Sequence, residues 1–443
     1  MTSWKVGMAK VDITPRLGVP LMGNFRDDYA ARGVHDPLYA HAMVLENNTG
    51  RRVALLSIDA CELDRNNIAW VKKCVLQQTK LPEESILVAA IHTHSGPATS
   101  NLGSLPKADD ADIQTFLTKA AKAVSLAIAD LKPATLAIGY SQEDRLSFNR
   151  RLACKDGKTH MNWESLDPAF VVKPLGPIDP QVIALSVDRD NQRQGVLVNF
   201  GLHPAILAGD NWLYSADYPG YLAEALAKVM GDDFMTVFFN GCCGNVNHID
   251  YSDPLQGRGF KMAECCGYVL AAAVQQAMRT PVEIHGDVLE ISHEKVSLKR
   301  LKISEKDRQW SEDVLEKAKN NPTQGQVDGL PDEFYAKTWL KMYEVQNKDD
   351  EVDVMVIRLG DLAIVGLPGE IFCELGMEIK KSSPAKHTMV IELANDSIGY
   401  MPNRIAFEQG GYEPSVGSTL YEPGAGEQLI ASAMTQLKTL FKK

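Results

Sequence analysis

Two histidines one residue apart, His92 and His94, stand in the segment Ile91-His92-Thr93-His94-Ser95-Gly96-Pro97, directly after the apolar run Ile86-Leu87-Val88-Ala89-Ala90. A buried strand thus runs out into a loop that carries two imidazoles. Side chains two apart on a strand project to one face, so the rings can converge on one site. Neutral imidazole is a common zinc ligand and also titrates near neutrality, which suits it to metal binding or proton transfer. Histidines at a strand end also cap sheets or bond to nearby carbonyls, and the pair alone leaves both readings open.

Other chemistries lack their signatures. There is no phosphate loop, no dinucleotide fingerprint and no H-E-x-x-H helix. Ser95 lies in His-Ser-Gly-Pro rather than in the G-x-S-x-G of a nucleophile elbow. A net charge of -11 and a pI near 5.5 argue against a phosphate backbone or an anionic bilayer as the main partner. Aromatic residues are 7% of the chain and are not interleaved with basic ones, so no stacking platform for nucleic acid is expected. No run of 18 apolar residues occurs, and the segment Met1 to Lys10 has no apolar stretch of signal-peptide length. The expectation is a cytoplasmic protein without a transmembrane segment, of undetermined oligomeric state. Eight cysteines, two pairs of them adjacent (Cys242-Cys243 and Cys265-Cys266), read as reduced packing residues rather than a disulfide framework.

The elements that must position the histidines form a pattern that occurs three times, strand, turn, strand, helix, strand. The first unit runs from Ala42-Met43-Val44-Leu45 through the turn Asn47 to Gly50 and the strand Val53 to Ile58. A helix spaced by Ile68, Val71 and Val75 then leads to the strand that delivers His92. The second has strands Val182 to Val187 and Gly195 to Phe200, then His203-Pro204, a helix around Tyr221 to Leu226 and the strand Thr236 to Phe239, ending in Asn240-Gly241-Cys242-Cys243-Gly244-Asn245-Val246-Asn247. The third has strands Asp353 to Leu359 and Leu362 to Leu367 around the hairpin signal Gly360-Asp361. It continues through Pro368-Gly369-Glu370, a helix over Cys373 to Lys381 and the strand Thr388 to Leu393 toward Tyr400. The fold class is α/β, with mixed β-sheets and flanking helices in a single domain. Polar residues collect where strands end, which places His92, His94, His203, Glu370 and Tyr400 on one rim. Residues 298 to 350 are charged and helical in pattern, an insertion that reads either as a solvated hairpin or as a lid.

Over nearly its whole length the chain resembles the catalytic region of the neutral ceramidase family. The resemblance is carried in order by Ala9-Lys10-Val11-Asp12-Ile13-Thr14-Pro15, Gly33-Val34-His35-Asp36-Pro37-Leu38-Tyr39-Ala40, the His92 to Pro97 segment and Asn149-Arg150-Arg151. It continues through His203-Pro204, Ser215-Ala216-Asp217-Tyr218-Pro219-Gly220, Gly366-Leu367-Pro368-Gly369-Glu370, Gly399-Tyr400 and Tyr412-Glu413. It implies zinc ligands at His92, His203, Glu370 and Tyr400, with His94, Arg150 and Tyr412 at the other active-site positions. Two imidazoles, a carboxylate and a phenolate suit Zn2+. The implied reaction is hydrolysis of an amide, with His94 moving a proton and Tyr412 and Arg150 holding the developing oxyanion.

Structural alternatives stand beside these assignments. His203 could be a satisfied core histidine, Glu370 could cap the next helix, Tyr400 could simply pack, and Arg150 could pair with a carboxylate. His35 and Asp36 read as fixing a turn, while His41, His160, His248, His285, His293 and His387 read as surface or packing residues. Cys242 and Cys243 read as buried thiols.

Two departures bear on substrate. The family's Gly-Asp-Val-Ser loop is Gly244-Asn245-Val246-Asn247 here, so asparagine replaces both the acid and the hydroxyl, and Asn247 can contribute hydrogen bonds but no nucleophile. The family's C-terminal immunoglobulin-like domain has no counterpart before Lys443. The expected activity is therefore zinc-dependent cleavage of an amide or related bond in a small or amphiphilic molecule other than ceramide. The alternatives are a zinc-assisted lyase or hydrolase on a polar, sugar-derived substrate, or a ligand-binding protein without turnover.

Overall fold

A computed structural model describes residues 4–100, 105–190, 192–319 and 331–442. The three units are present, and each is longer than the sequence pattern indicates, by one strand in front and one helix behind. In the first, β1 (Trp4–Asp12), β2 (Tyr39–Asn47) and β3 (Arg52–Ile58) form an antiparallel meander. Then α1 (Arg65–Thr79) crosses to β4 (Ile86–Ala90), which lies parallel to β3, and α2 (Asp110–Ala129) follows. The second repeats this with β5 (Lys132–Gln142), β6 (Gln181–Arg189), β7 (Gln192–Phe200), α3 (Tyr218–Met230), β8 (Met235–Asn240) and α4 (Phe260–Ala277). In the third, β9 (Leu289–Leu298) is separated by α5 (Glu305–Ala318) and α6 (Asp332–Val345) from β10 (Asp350–Leu359) and β11 (Leu362–Gly366). The unit closes with α7 (Cys373–Ser382), β12 (His387–Ile391) and α8 (Ala425–Leu440), and its pairing order is the same.

Alternation along the strands explains how the units pack. On β2 to β4, Ala42, Val44, Ala54, Leu56 and Val88 face outward against Ile68, Val71 and Val75 of α1 and Phe116, Leu117 and Val124 of α2. The intervening residues Leu55, Leu87 and Ala89 face inward and share one apolar core with Leu185, Leu197 and Val237 of unit two and Ile357, Ile364 and Met389 of unit three. Strands buried on both faces read as continuous apolar runs, as these do. Units one and two also join edge to edge, β1 to β5, from Trp4 opposite Ala134 to Val6 opposite Lys132.

Polar side chains lock the three units to one another in a ring. Ser57 on β3 donates to the Phe238 carbonyl on β8. Asn199 on β7 donates to the Val390 carbonyl on β12 at 3.0 Å and to the Phe239 carbonyl at 3.1 Å. Asn395, past β12, donates its backbone N–H to the Val88 carbonyl on β4 at 2.8 Å, and its side-chain oxygen accepts from Val88 N at 3.2 Å.

Strand parity then fixes where the site must be. The first, third and fourth strands of each unit run in one direction, so their C-terminal ends share one edge. The long connection from first to second strand also leaves from that edge, and in the three units it spans 13–38, 143–180 and 299–349. The charged helical segment is thus the third unit's version of a connection that all three possess. Its described part is not simply solvated, because Phe334, Tyr335 and Met342 of α6 line a cavity together with Glu370 and Tyr400. Residues 320–330 lie outside the described residues.

Asn199 satisfies carbonyls on two strands at the junction of units two and three, and the Asn199→Ala variant leaves that buried pair without a donor. A loss of about 2–3 kcal/mol in unfolding free energy is expected, read as a lower urea midpoint. An unchanged midpoint would show that the junction does not depend on this side chain.

Candidate metal centre

Each unit sends one side chain to the shared edge. His92 follows β4, His203 follows β7 and Glu370 follows β11. The Nε2 atoms of His92 and His203 are 2.9 Å apart, and Glu370 Oε2 lies 3.2 Å from the first and 3.3 Å from the second. All three residues are buried.

The tautomers follow from the carbonyls behind the rings. His92 Nδ1 lies 2.7 Å from the Cys61 carbonyl and His203 Nδ1 lies 3.1 Å from the Cys243 carbonyl. A carbonyl only accepts, so each Nδ1 carries a hydrogen and each Nε2 is the ring nitrogen turned toward the other and toward Glu370. The contact needs a positive charge: burial opposes it on His92, but Cys61 and Glu370 outweigh burial and hold that imidazole well above its ordinary value, and a cation among the three atoms would supply the same charge. Glu370 Oε2, with no hydrogen-bond donor of its own, turns toward the same space. The protonation balance reflects this demand. Burial pushes His203 down to about 3, helped by the charges of His92 and Arg150. Burial also works against charge on Glu370, but the two imidazoles outweigh it and hold the carboxyl well below its ordinary range. Backing of each imidazole by a carbonyl is the arrangement expected of metal-binding histidines, and the three donor atoms could hold a metal ion.

Tyr400 stands beside this set as the strand partner of Glu370 in the short parallel pair Glu370–Ile371 with Tyr400–Met401. Its ring lies 5.5 Å from that of Tyr412 and 5.1 Å from the Arg150 guanidinium. Burial pushes its phenol well above the usual value, with Arg150 opposing. Gly369 makes the approach of the two segments feasible, since its φ is +84° and a Cβ there would sit 2.6 Å from the Gly399 carbonyl.

His94 joins the cluster by a route different from strand alternation. The strand ends at Ala90, and His92 adopts φ +75°, in the left-handed region, where a non-glycine residue is held only by surrounding structure. This turn, rather than a two-residue repeat, brings the His94 ring to 4.9 Å from His92 at an interplanar angle of 82°. Asn24 sets its tautomer. The Asn24 amide nitrogen donates to the Leu207 carbonyl at 2.8 Å, so its oxygen faces His94 Nδ1 at 3.2 Å and leaves His94 Nε2 with the lone pair, 3.4 Å from His92 Nε2. Arg26 fixes the backbone by donating to the His94 carbonyl at 2.9 Å.

Arg150 is held by Glu413, which binds Arg150 Nε at 2.7 Å through one oxygen and Arg151 Nη1 at 2.7 Å through the other, all three residues being buried. Burial disfavours the charge on Arg150, but Tyr400 and Glu413 more than compensate and keep it cationic. Its Nη1 lies 3.5 Å from His203 Nε2.

Asn247 lines the cavity wall but is bonded within it. Its amide exchanges hydrogen bonds with that of Asn162 at 2.9 and 2.7 Å, and its oxygen also accepts from Ile249 N at 3.0 Å. His35 and Asp36 meet each other at 2.8 Å, and Asp36 receives Ser215 Oγ and Ala216 N, a structural junction.

A cavity of about 780 Å3 is lined by His94, Arg150, His203, Asn247, Tyr400 and Tyr412, and a second of about 490 Å3 by Glu62, Glu370 and α6, with Phe25, Tyr400 and Tyr412 common to both. Several residues here carry no sequence signal. Asn24 and Glu392 act on partners far away in the chain, and His248, whose sequence context marks only a surface or packing residue, lines the larger cavity.

Fold and site together define a mixed α/β protein with a histidine and carboxylate cluster at the strand ends. A family profile described as neutral/alkaline non-lysosomal ceramidase, N-terminal, matches residues 4–328. The chain belongs to this family and is a hydrolase. The neutral ceramidase of Pseudomonas aeruginosa is 25% identical to it over 98% of this chain and 72% of its own length. The neutral ceramidase of Mycobacterium tuberculosis is 24% identical over 51% of this chain and 36% of its own. The crystal structure of the Pseudomonas aeruginosa neutral ceramidase superposes with a TM-score of 0.79 at 20% identity, covering 100% of this chain and 75% of that one, which establishes a shared fold. Among the described residues no helix is long and apolar enough to cross a membrane.

Glu392 stands directly behind the cluster, fully buried, accepting from Cys243 N at 3.1 Å and Ile371 N at 3.0 Å. It therefore ties the loop whose carbonyl orients His203 to the segment that carries Glu370. Both N–H groups donate to the same oxygen, Oε2, so in Glu392→Ala they lose their acceptor together. Metal affinity is expected to fall about 10- to 100-fold, measurable by competition with a chromogenic chelator, and an unchanged affinity would remove Glu392 from the account.

Proposed function

We propose that the protein is a zinc-dependent hydrolase that cleaves an amide C–N bond in a small or amphiphilic molecule other than ceramide itself. The observation that carries the reading is the mutual orientation of three donors, with His92 Nε2, His203 Nε2 and Glu370 Oε2 turned on one another and both Nδ1 atoms committed to carbonyls. His92, His203, Glu370 and Tyr400 are the residues that would hold the ion, a nitrogen and oxygen set suited to zinc. When bound, zinc polarises a carbonyl and makes water a competent nucleophile at neutral pH.

The chain's own groups supply the remaining steps. Water adds to the amide carbon as the C–N bond breaks, giving an acid and an amine. His94 Nε2, with its lone pair set by Asn24, takes the proton from water and returns it to the leaving nitrogen. Arg150, fixed by Glu413, and Tyr412 hold the negative charge that develops on the carbonyl oxygen. A substrate other than ceramide is supported by the loop from Gly244 to Asn247. Asn245 is bonded to Glu374 and to Cys373 N, and Asn247 to Asn162, so both asparagines brace the wall and neither supplies an acid or a free hydroxyl.

Removal of metal by a chelator is expected to abolish hydrolysis of a panel of N-acyl amines, and zinc to restore it. His94→Ala should bind zinc normally and lose about 10²- to 10⁴-fold in kcat. Full activity in the stripped protein, or in His94→Ala, would contradict the reading.

A further inference from the structure

We propose that the loop carrying His248 forms a recognition subsite for an uncharged, hydroxyl-rich group joined to the scissile amide, and that His248 is its specificity-determining residue. The subsite rests on the amide hydrolase reading for the bond that is cleaved.

His248 is 7% exposed, and it lines the same cavity as His94 and His203. Its Nδ1 has no hydrogen-bond partner. A buried polar atom left unpaired costs about 1–3 kcal/mol, and because Nδ1 is also closed to solvent, a ligand that turns the ring and supplies the partner would relieve that cost. Burial pushes the imidazole down to about 4, so at neutral pH the ring is uncharged. A neutral imidazole offers one donor and one acceptor, which is also what a hydroxyl offers, and it provides nothing for an ion pair.

The ring stands on a preformed frame. Gln256 donates to the His248 carbonyl at 2.7 Å and accepts from Asp250 N at 3.1 Å, while Asn247 accepts from Ile249 N at 3.0 Å. Around it the wall is mixed in character. Asp250 and Arg258 bring opposite charges, as do Asp253 and Arg150, and Trp163 and Tyr251 bring aromatic faces. Balanced charge with interspersed donors and acceptors matches a neutral polyol or sugar better than a carboxylate or an amine. A long alkyl chain laid here would strip water from Asp250 and Arg258 without replacing its hydrogen bonds. Leu166 and Ile206 leave an apolar stretch of the same cavity for a short acyl group. Hydrolysis of such a substrate consumes only water and releases a short acid and an amino polyol.

The test is calorimetric titration of the zinc-loaded protein with two amides on six-membered rings, N-acetylglucosamine and N-cyclohexylacetamide, which lacks the hydroxyls. N-acetylglucosamine is expected to bind at least ~10-fold more tightly, and His248→Phe to reduce its affinity ~10-fold or more while leaving N-cyclohexylacetamide within about twofold. Arg258→Ala alters an exposed residue whose replacement does not threaten folding, and it should weaken N-acetylglucosamine severalfold. Equal or tighter binding of N-cyclohexylacetamide, no binding of N-acetylglucosamine at millimolar concentration, or variants that weaken both amides alike would overturn the subsite. Turnover is followed in the same samples. If the preference and its loss in the variants hold while neither amide is cleaved, the subsite stands and the hydrolase reading is what fails for this substrate class.

Discussion

Two imidazole nitrogens and a carboxylate oxygen are pressed together in a place from which water is excluded, and the surrounding structure exists to keep them there. The three atoms repel unless a positive charge, a proton on His92 or a cation, lies among them, so the arrangement has to be enforced from behind. The carbonyls of Cys61 and Cys243 fix the rings, Glu392 ties the two loops that carry His203's anchor and Glu370, and the Glu413 carboxylate holds Arg150 close to them. A buried positive charge, however supplied, is what makes this geometry favourable. The same electrostatics keeps Glu370 ionised and Arg150 charged despite burial.

The topology explains how residues 111 and 167 positions apart come to share one point. Three units of the same pairing order stand around a common apolar core, and parity brings the ends of their parallel strands to one edge. Each unit contributes one of the three donor atoms there and covers it with the connection between its first two strands. The first connection provides Gly23, Asn24 and Arg26, the second Arg150, Asn162 and Trp163, and the third the helix α6. Backbone strain is placed at the same edge, at His92 with φ +75° and at Leu393 and Asn395 beyond β12 with φ +50° and +63°. Strain of this kind persists only where neighbours over-determine the conformation.

The inner apolar strands and the polar residues where they stop were readable in the sequence from local pattern, an uninterrupted run of aliphatic residues and then a polar residue at its end, whereas a metal-binding role for His203, Glu370 and Tyr400 comes only from the family resemblance. The first strand of each unit was not readable; in unit three β9 exposes one face and its segment Ser292-His293-Glu294-Lys295 reads as charged surface. The convergence of His92 and His94 was anticipated for a different reason from the one that operates, since strand alternation ends at Ala90 and a positive φ performs the turn. Asn24, Glu392 and His248 carried no local signal. Their positions matter through partners far along the chain, Leu207 for Asn24, Cys243 for Glu392, and the cavity that the third unit closes for His248.

The central claim is that these three donors hold one ion. Anomalous diffraction at the zinc edge from crystals of the zinc-loaded protein addresses it most directly. The account predicts a single strong peak about 2.0–2.2 Å from His92 Nε2, His203 Nε2 and Glu370 Oε2, with the three atoms spread apart to admit it. A peak bound elsewhere, or none, with the two Nε2 atoms still packed 2.9 Å from each other, would contradict it.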